Sequence, residues 1–125
     1  MSIWDELSRE ECVVLTNALE ESWLNQVIGD YLGHREDGGI WSFSTDADAV
    51  RPLIPRFAVV VRDMIDRGLV ELVATDRYRD LPDVPSMTEA EVETALTDPA
   101  TWLPAAGEGP IMLIPTDQAV ELVRR

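Results

Sequence analysis

The stretch Pro55 to Thr75, PRFAVVVRDMIDRGLVELVAT, constrains the fold of this chain more than any other. Phe57, Val60, Val61, Met64 and Ile65 fall at i, i+3, i+4, i+7 and i+8, which sets them on one continuous apolar stripe of an α-helix. Such a stripe needs a core to lie on. Pro55 suits the first helical position, where its missing N–H has no intrahelical partner to lose. Gly68 suits the residue just past the helix end, where positive φ is wanted. Leu69, Val70, Leu72 and Val73 then favour a pleated, mostly buried strand.

Upstream, Ser8 and Glu11 form an S-x-x-E capping box, with Leu7 and Cys12 placed as a hydrophobic staple across it. Cys12, Leu15, Leu19, Trp23, Val27 and Tyr31 continue the helical stripe, broadened by Val14, Leu24, Ile28 and Leu32. The spacing predicts one helix of about 24 residues, stopped at Gly33. Its wide apolar surface leaves room for a second partner, including another copy of the chain. HREDGG, residues 34 to 39, reads as a polar loop, and Ile40 to Ser44 as a short strand. Ser44 or Thr45 then caps a short helix through Asp48, separated by Pro52 and Pro55 from the amphipathic helix. The order is helix, strand, short helix, helix, strand. With "RGLV" turning helix into strand, residues from about 40 to 75 resemble the passage from third helix to first wing strand in winged-helix domains. The resemblance implies an α+β, winged-helix-like fold, with helices packed on a small antiparallel sheet. It does not by itself give a function.

Between Thr75 and the apolar run IMLIP at Ile111 to Pro115 lie 35 residues, more than a hairpin loop requires. The expectation is a single domain over residues 1 to 125, with a helical insertion at 76 to 110 between the last two strands. Thr88 and Glu91 form a second capping box, flanked by Met87 and Val92, for a helix running to about Leu96. Asp98 and Pro99 cap one further turn ending near Trp102. Thr116 caps a last helix carrying Ala119, Val120, Leu122 and Val123, with Arg124 and Arg125 at the favourable end of its dipole.

Composition narrows the function classes. Hydrophobic content of 46% with 27% charged residues is that of an ordinary globular chain. No apolar run approaches the roughly 18 residues of a membrane span, and MSIWDELSREE has neither a basic start nor an apolar signal core. A cytoplasmic protein is expected. The single Cys12 cannot form an internal disulfide. Net charge is −14: residues 1 to 50 carry 11 acids and 2 arginines, residues 51 to 81 carry 5 and 6, and residues 82 to 125 carry 8 and 2. The amphipathic helix therefore sits in the one segment that is not acidic. There is no lysine; all basic residues are arginine.

The residues that would carry nucleic-acid contact are Arg56 and Arg62, with Arg51 and Arg67, along that helix, aided by Arg77 and Arg79 in the wing. Against this, Arg62 with Asp66 and Asp63 with Arg67 are i, i+4 pairs of opposite charge that neutralise the same face. His34, the only histidine, reads as a helix cap or solvated side chain, and Cys12 as a small buried hydrophobe. One Cys and one His give no zinc spacing. Asp46, Asp48, Glu36 and Asp37 lack calcium-loop spacing, and GHREDGG lacks the strand and helix of a phosphate loop. The acid pairs Glu10-Glu11 and Glu20-Glu21 and the series Glu89, Glu91, Glu93 read as exposed faces. No cofactor, metal or catalytic site is expected, and the chain reads as no enzyme. Trp23 fits the long stripe; Trp4, Trp23 and Trp102 are the candidate partner surface.

The reading that follows is a non-enzymatic protein-interaction module, with a protein partner or a homodimer. Nucleic acid is disfavoured by charge. The alternatives are a winged-helix DNA-binding transcriptional regulator and a small-molecule sensor or enzyme with a pocket between the insertion and the sheet.

Overall fold

The computed structural model of the chain describes residues 3–36, 46–74, 85–105 and 107–124. Over these residues the fold is α+β. A 3-10 turn, Ile3–Glu6, leads into α1 (Arg9–Leu19); a second, Leu24–Gln26, leads into α2 (Val27–Glu36). Then come α3 (Ala47–Val50), a 3-10 turn at Arg51–Leu53, α4 (Ile54–Asp66) and β1 (Val70–Ala74). Helices α5 (Glu89–Thr97) and α6 (Pro99–Trp102) precede β2 (Ile111–Pro115) and α7 (Asp117–Arg124).

Local chemistry accounts for most boundaries. Ser8 and Thr88 each accept from the N–H three residues on, while Glu11 and Glu91 reach back to the cap N–H, completing both capping boxes. Asp98 accepts from the Ala100 N–H to start α6, and the Thr116 hydroxyl accepts from the Ala119 N–H to start α7. The short helix α3 is capped by Asp46 rather than Ser44 or Thr45, its carboxylate accepting from the Asp48 N–H. The expected strand at Ile40 to Ser44 lies outside the described residues.

The single long first helix is not formed. Helix α1 ends at Leu19, and Glu21 takes φ of 53°, the left-handed conformation usual for glycine. The Glu21 N–H bonds Ala18 O at 2.9 Å and the Ser22 N–H bonds Asn17 O at 3.0 Å, the paired bonds of a Schellman stop. What offsets the strained glutamate lies far away in sequence. The freed Ser22 carbonyl accepts from the Leu113 N–H at 2.9 Å, and Trp23 bridges to Met112, so residues 22 and 23 extend the sheet beside β2. Nor is Gly33 a stop, since α2 runs on to Glu36.

Strands β1 and β2 pair antiparallel, with Leu72 opposite Leu113 and Val70 opposite Pro115. On the other edge of β1 the Leu72 carbonyl accepts from the Met87 N–H, so a backbone contact caps each side of the two-stranded ribbon. Helix α4 ends as its sequence demands. Gly68, at φ 74°, closes a second Schellman stop through Gly68 N to Ile65 O and Leu69 N to Met64 O.

One apolar cluster joins these elements. Phe57, Val61 and Met64 of α4 are fully buried, with Val60 and Ile65 packed at its margin. Val14, Leu15 and Ala18 of α1 meet Leu24, Val27, Ile28, Tyr31 and Leu32 across the break, all in the same core. The broad stripe thus needs no second copy of the chain. It is two short helices, each burying one face. Side-chain hydrogen bonds lock the insertion to this core: buried Asn25 donates through Nδ2 to Pro104 O at 2.8 Å and to Gly107 O at 3.3 Å, and Gln26 donates to Gly107 O at 3.0 Å.

Candidate functional site

Along α4 and at its end, Arg56, Arg62 and Arg67 are drawn into the protein's own acids, while Arg51, in the turn before the helix, is exposed. Arg56 pairs with Glu10 of α1 at 2.5 Å. Arg62 meets Glu89 of α5 at 2.5 Å and, more loosely at 3.5 Å, Glu93 and its own helix's Asp66. Arg67 bridges Glu11 at 2.5 Å and Asp63 at 3.4 Å. Both i, i+4 pairs expected from the spacing are present. The pairings with α1 and α5 were not legible, because their partners come from 27 to 56 residues away. Arg77 and Arg79 lie outside the described residues.

Glu10 and Glu11 do not form an exposed acidic face. The Glu10 side chain is only 12% exposed, and its Oε1 accepts from the Tyr31 hydroxyl at 2.9 Å as well as from Arg56. Burial pushes its carboxyl up, but its own backbone N–H, the Tyr31 hydroxyl and the Arg56 charge together outweigh that and hold it below the ordinary value. Glu11 is also held low, chiefly by the Ser8 N–H of the capping box, against a burial effect, with Arg67 adding to it. Tyr31 in turn sets its ring edge on Phe57, centroids 5.1 Å apart. Three helices meet at this acid.

The other sequence candidates resolve individually. Trp102 is fully buried, its indole N–H donating to Leu96 O at 3.2 Å, so it completes the core under the insertion and offers no partner surface. Trp4 packs at the core's margin, and half-buried Trp23 holds the sheet bridge. Burial raises the Cys12 thiol, and the Glu11 charge adds to this; the helix dipole does not activate it. The backbone of His34 lies within α2. Among the described residues no cluster of His, Cys, Asp and Glu has a metal-holding arrangement, and no helix is long and apolar enough to cross a membrane.

What the arginine pairing leaves open is a groove of about 580 Å³ between α4 and α5. Its apolar part is Ile54, Pro55, Ala58 and Val59 from α4 with Leu96 from α5. Asp63, Asp66 and Glu93 edge it, against one cation, Arg62. Val59 is 70% exposed, the large hydrophobic among the described residues that the fold leaves in water. The inserted segment thus makes this groove with α4. Sequence reasoning passed over Val59 because it lies off the stripe, although a β-branched residue on an outward helical position is a readable signal.

Fold and site together define an α+β protein with helices around a two-stranded antiparallel sheet and an acid-edged apolar groove on one helix face. Compared with family models, curated proteins and solved structures, the chain finds no match.

Proposed function

We propose that this chain is a non-enzymatic protein-interaction module on a winged-helix-like scaffold, and that it receives a partner protein in the α4–α5 groove. The observation that carries the reading is the exposure of Val59 within an apolar groove. A lone exposed valine is ordinary; one continuous with exposed Pro55 and half-buried Ala58, over a floor of buried Ile54 and Leu96, offers a contact surface. The element order α3, α4, β1, β2, with helical α5 and α6 between the strands, supports the scaffold. The DNA-regulator alternative is weakened where it was strongest, since Arg56 and Arg62 both answer internal carboxylates.

The test is position-specific photocrosslinking in the native host. A crosslinker at Val59 and another at Thr97, on opposite walls, are expected to trap the same protein, while one at exposed Glu121 on α7 traps none. Distinct adducts, or none above the Glu121 background, would overturn the reading. In parallel, duplex DNA at about 50 mM salt is expected to bind no tighter than the non-specific range of roughly 10⁻⁴ to 10⁻⁶ M.

A further inference from the structure

The groove's edge says what kind of partner it fits, an inference that rests on the docking role above. Three carboxylates line it against one lining guanidinium, Arg62, with Arg67 reaching Asp63 from the helix end at 3.4 Å, and the side chains of Asp63, Asp66 and Glu93 remain 58%, 62% and 67% exposed. Arg62 commits most closely to Glu89, which lies beyond the groove; its 3.5 Å pairs with Asp66 and Glu93 leave those oxygens able to accept further donors. A second copy of the chain would bring another −14 and the same acidic helices against this edge. A cationic partner meets no such opposition.

Length and relief specify its form. From Ile54 to Asp66 the groove follows α4 for about 18 Å, which is about three turns of a helix laid alongside. Pro55, Val59 and Arg62 recur at i, i+4 and i+7, and the small Ala58 leaves depth beside Val59 for a larger anchor. We propose that the groove takes a cationic amphipathic helix of a partner protein. Its apolar anchors seat on Pro55, Ala58 and Val59, above buried Leu96, and its lysines or arginines cross to Asp63, Asp66 and Glu93.

Three peptides of about 18 residues test this by fluorescence anisotropy at about 150 mM salt, where undirected attraction is screened beyond a Debye length of about 8 Å. One carries a leucine stripe at i, i+3, i+4 and i+7 with lysines elsewhere. Another has the same composition scrambled, and the last keeps the stripe but replaces lysine by glutamate. The striped lysine peptide is expected to bind at least tenfold more tightly than either control, about 1.4 kcal/mol. Val59→Arg should weaken it at least tenfold, with unchanged circular dichroism, since the residue is exposed. Asp66→Lys with Glu93→Lys should reverse the order of the two striped peptides. In the wild type, amide shifts on binding should cluster on α4 and α5, a readout needing no variant.

Equal binding of the scrambled peptide would reduce the effect to net charge and overturn the proposal. Equal binding of both striped peptides, lost in Val59→Arg, would keep the groove as a docking site and refute a cationic partner. A dimer dispersed by Val59→Arg would assign the groove to a second copy instead. No binding by any peptide, with crosslinks at Val59 and Thr97 intact, would also reject the cationic helix while sparing the docking role.

Discussion

Removing the Glu10 carboxylate should show how much of this fold depends on a polar contact inside its helical layer. Glu10→Ala deletes two partners of unequal worth. Tyr31 is 4% exposed and wedged edge-on against Phe57, so its hydroxyl cannot turn to water once the acceptor is gone. Losing a charged acceptor for a buried donor costs about 1.5–3 kcal/mol. Arg56, by contrast, is 53% exposed and regains water, so its pair is worth only about 0.2–1 kcal/mol. The expected loss is therefore about 2–4 kcal/mol, most of it through Tyr31. Urea denaturation followed by fluorescence of buried Trp102 would measure it, with an unchanged m-value as the check on two-state behaviour. In double-mutant cycles Glu10→Ala should couple more strongly to Tyr31→Phe than to Arg56→Ala. The sign with pH follows from the lowered carboxyls. Glu10 and Glu11 both titrate below the ordinary value of 4.5 when folded, so their stabilisation is complete above about pH 4.5. It is lost as pH falls through the lower folded values. Glu10→Gln should flatten that acid limb. A loss below about 0.5 kcal/mol, or a larger coupling to Arg56, would refute the assignment of Glu10 as a three-helix tie.

Glu21→Gly should stabilise the protein by up to about 1 kcal/mol in the same urea assay, since a left-handed residue with a Cβ carries roughly 1–2 kcal/mol of strain, partly offset by glycine's unfolded entropy. Gly109→Ala should destabilise by about 1–3 kcal/mol, because a Cβ there overlaps the side-chain oxygen of buried Asn25, which holds Pro104 and Gly107; a melting temperature within error of wild type would contradict the packing. Arg62→Ala should strengthen binding of the lysine-striped peptide severalfold by removing the groove's one cation, whereas a DNA-reading α4 would lose affinity for duplex.

Elements whose cause is local were readable from the chain: both capping boxes, the Asp98 and Thr116 caps, and the Gly68 stop each need only residues within a turn of one another. The paired strands were readable too, since LVELVA and IMLIP are apolar beyond what one helix face explains. The break in the first helix was not. Its signal would have been a glycine at position 21, but a glutamate stands there, and the next two residues, Ser22 and Trp23, are held by β2 residues about 90 positions downstream. For the same reason Glu10 and Glu11 looked like surface acids, and Trp102 like an anchor near a turn. The candidate site was half legible. The charge pairs along α4 follow from spacing alone, while the groove exists only because α5, distant in sequence, packs beside α4 through the shared core.

Helix α4 serves two surfaces at once, and its sequence shows the cost of the second. The inner stripe of Phe57, Val61 and Met64 is what the core requires. On the outer side a helix built only for that core would favour Lys, Glu or Gln at position 59, residues with better helix propensity and no hydration cost. Valine is worse on both counts, its branched Cβ losing rotamer freedom against the preceding turn while its methyls stand in water. Nothing in the monomer's packing offsets this. The surrounding charges point the same way: Arg56 and Arg67 turn aside to Glu10 and Glu11, which leaves Arg62 as the groove's one lining cation against three carboxylates. The proposed docking role gives such a residue, unfavourable to the free protein and set in an acid-edged groove, a reason to be there.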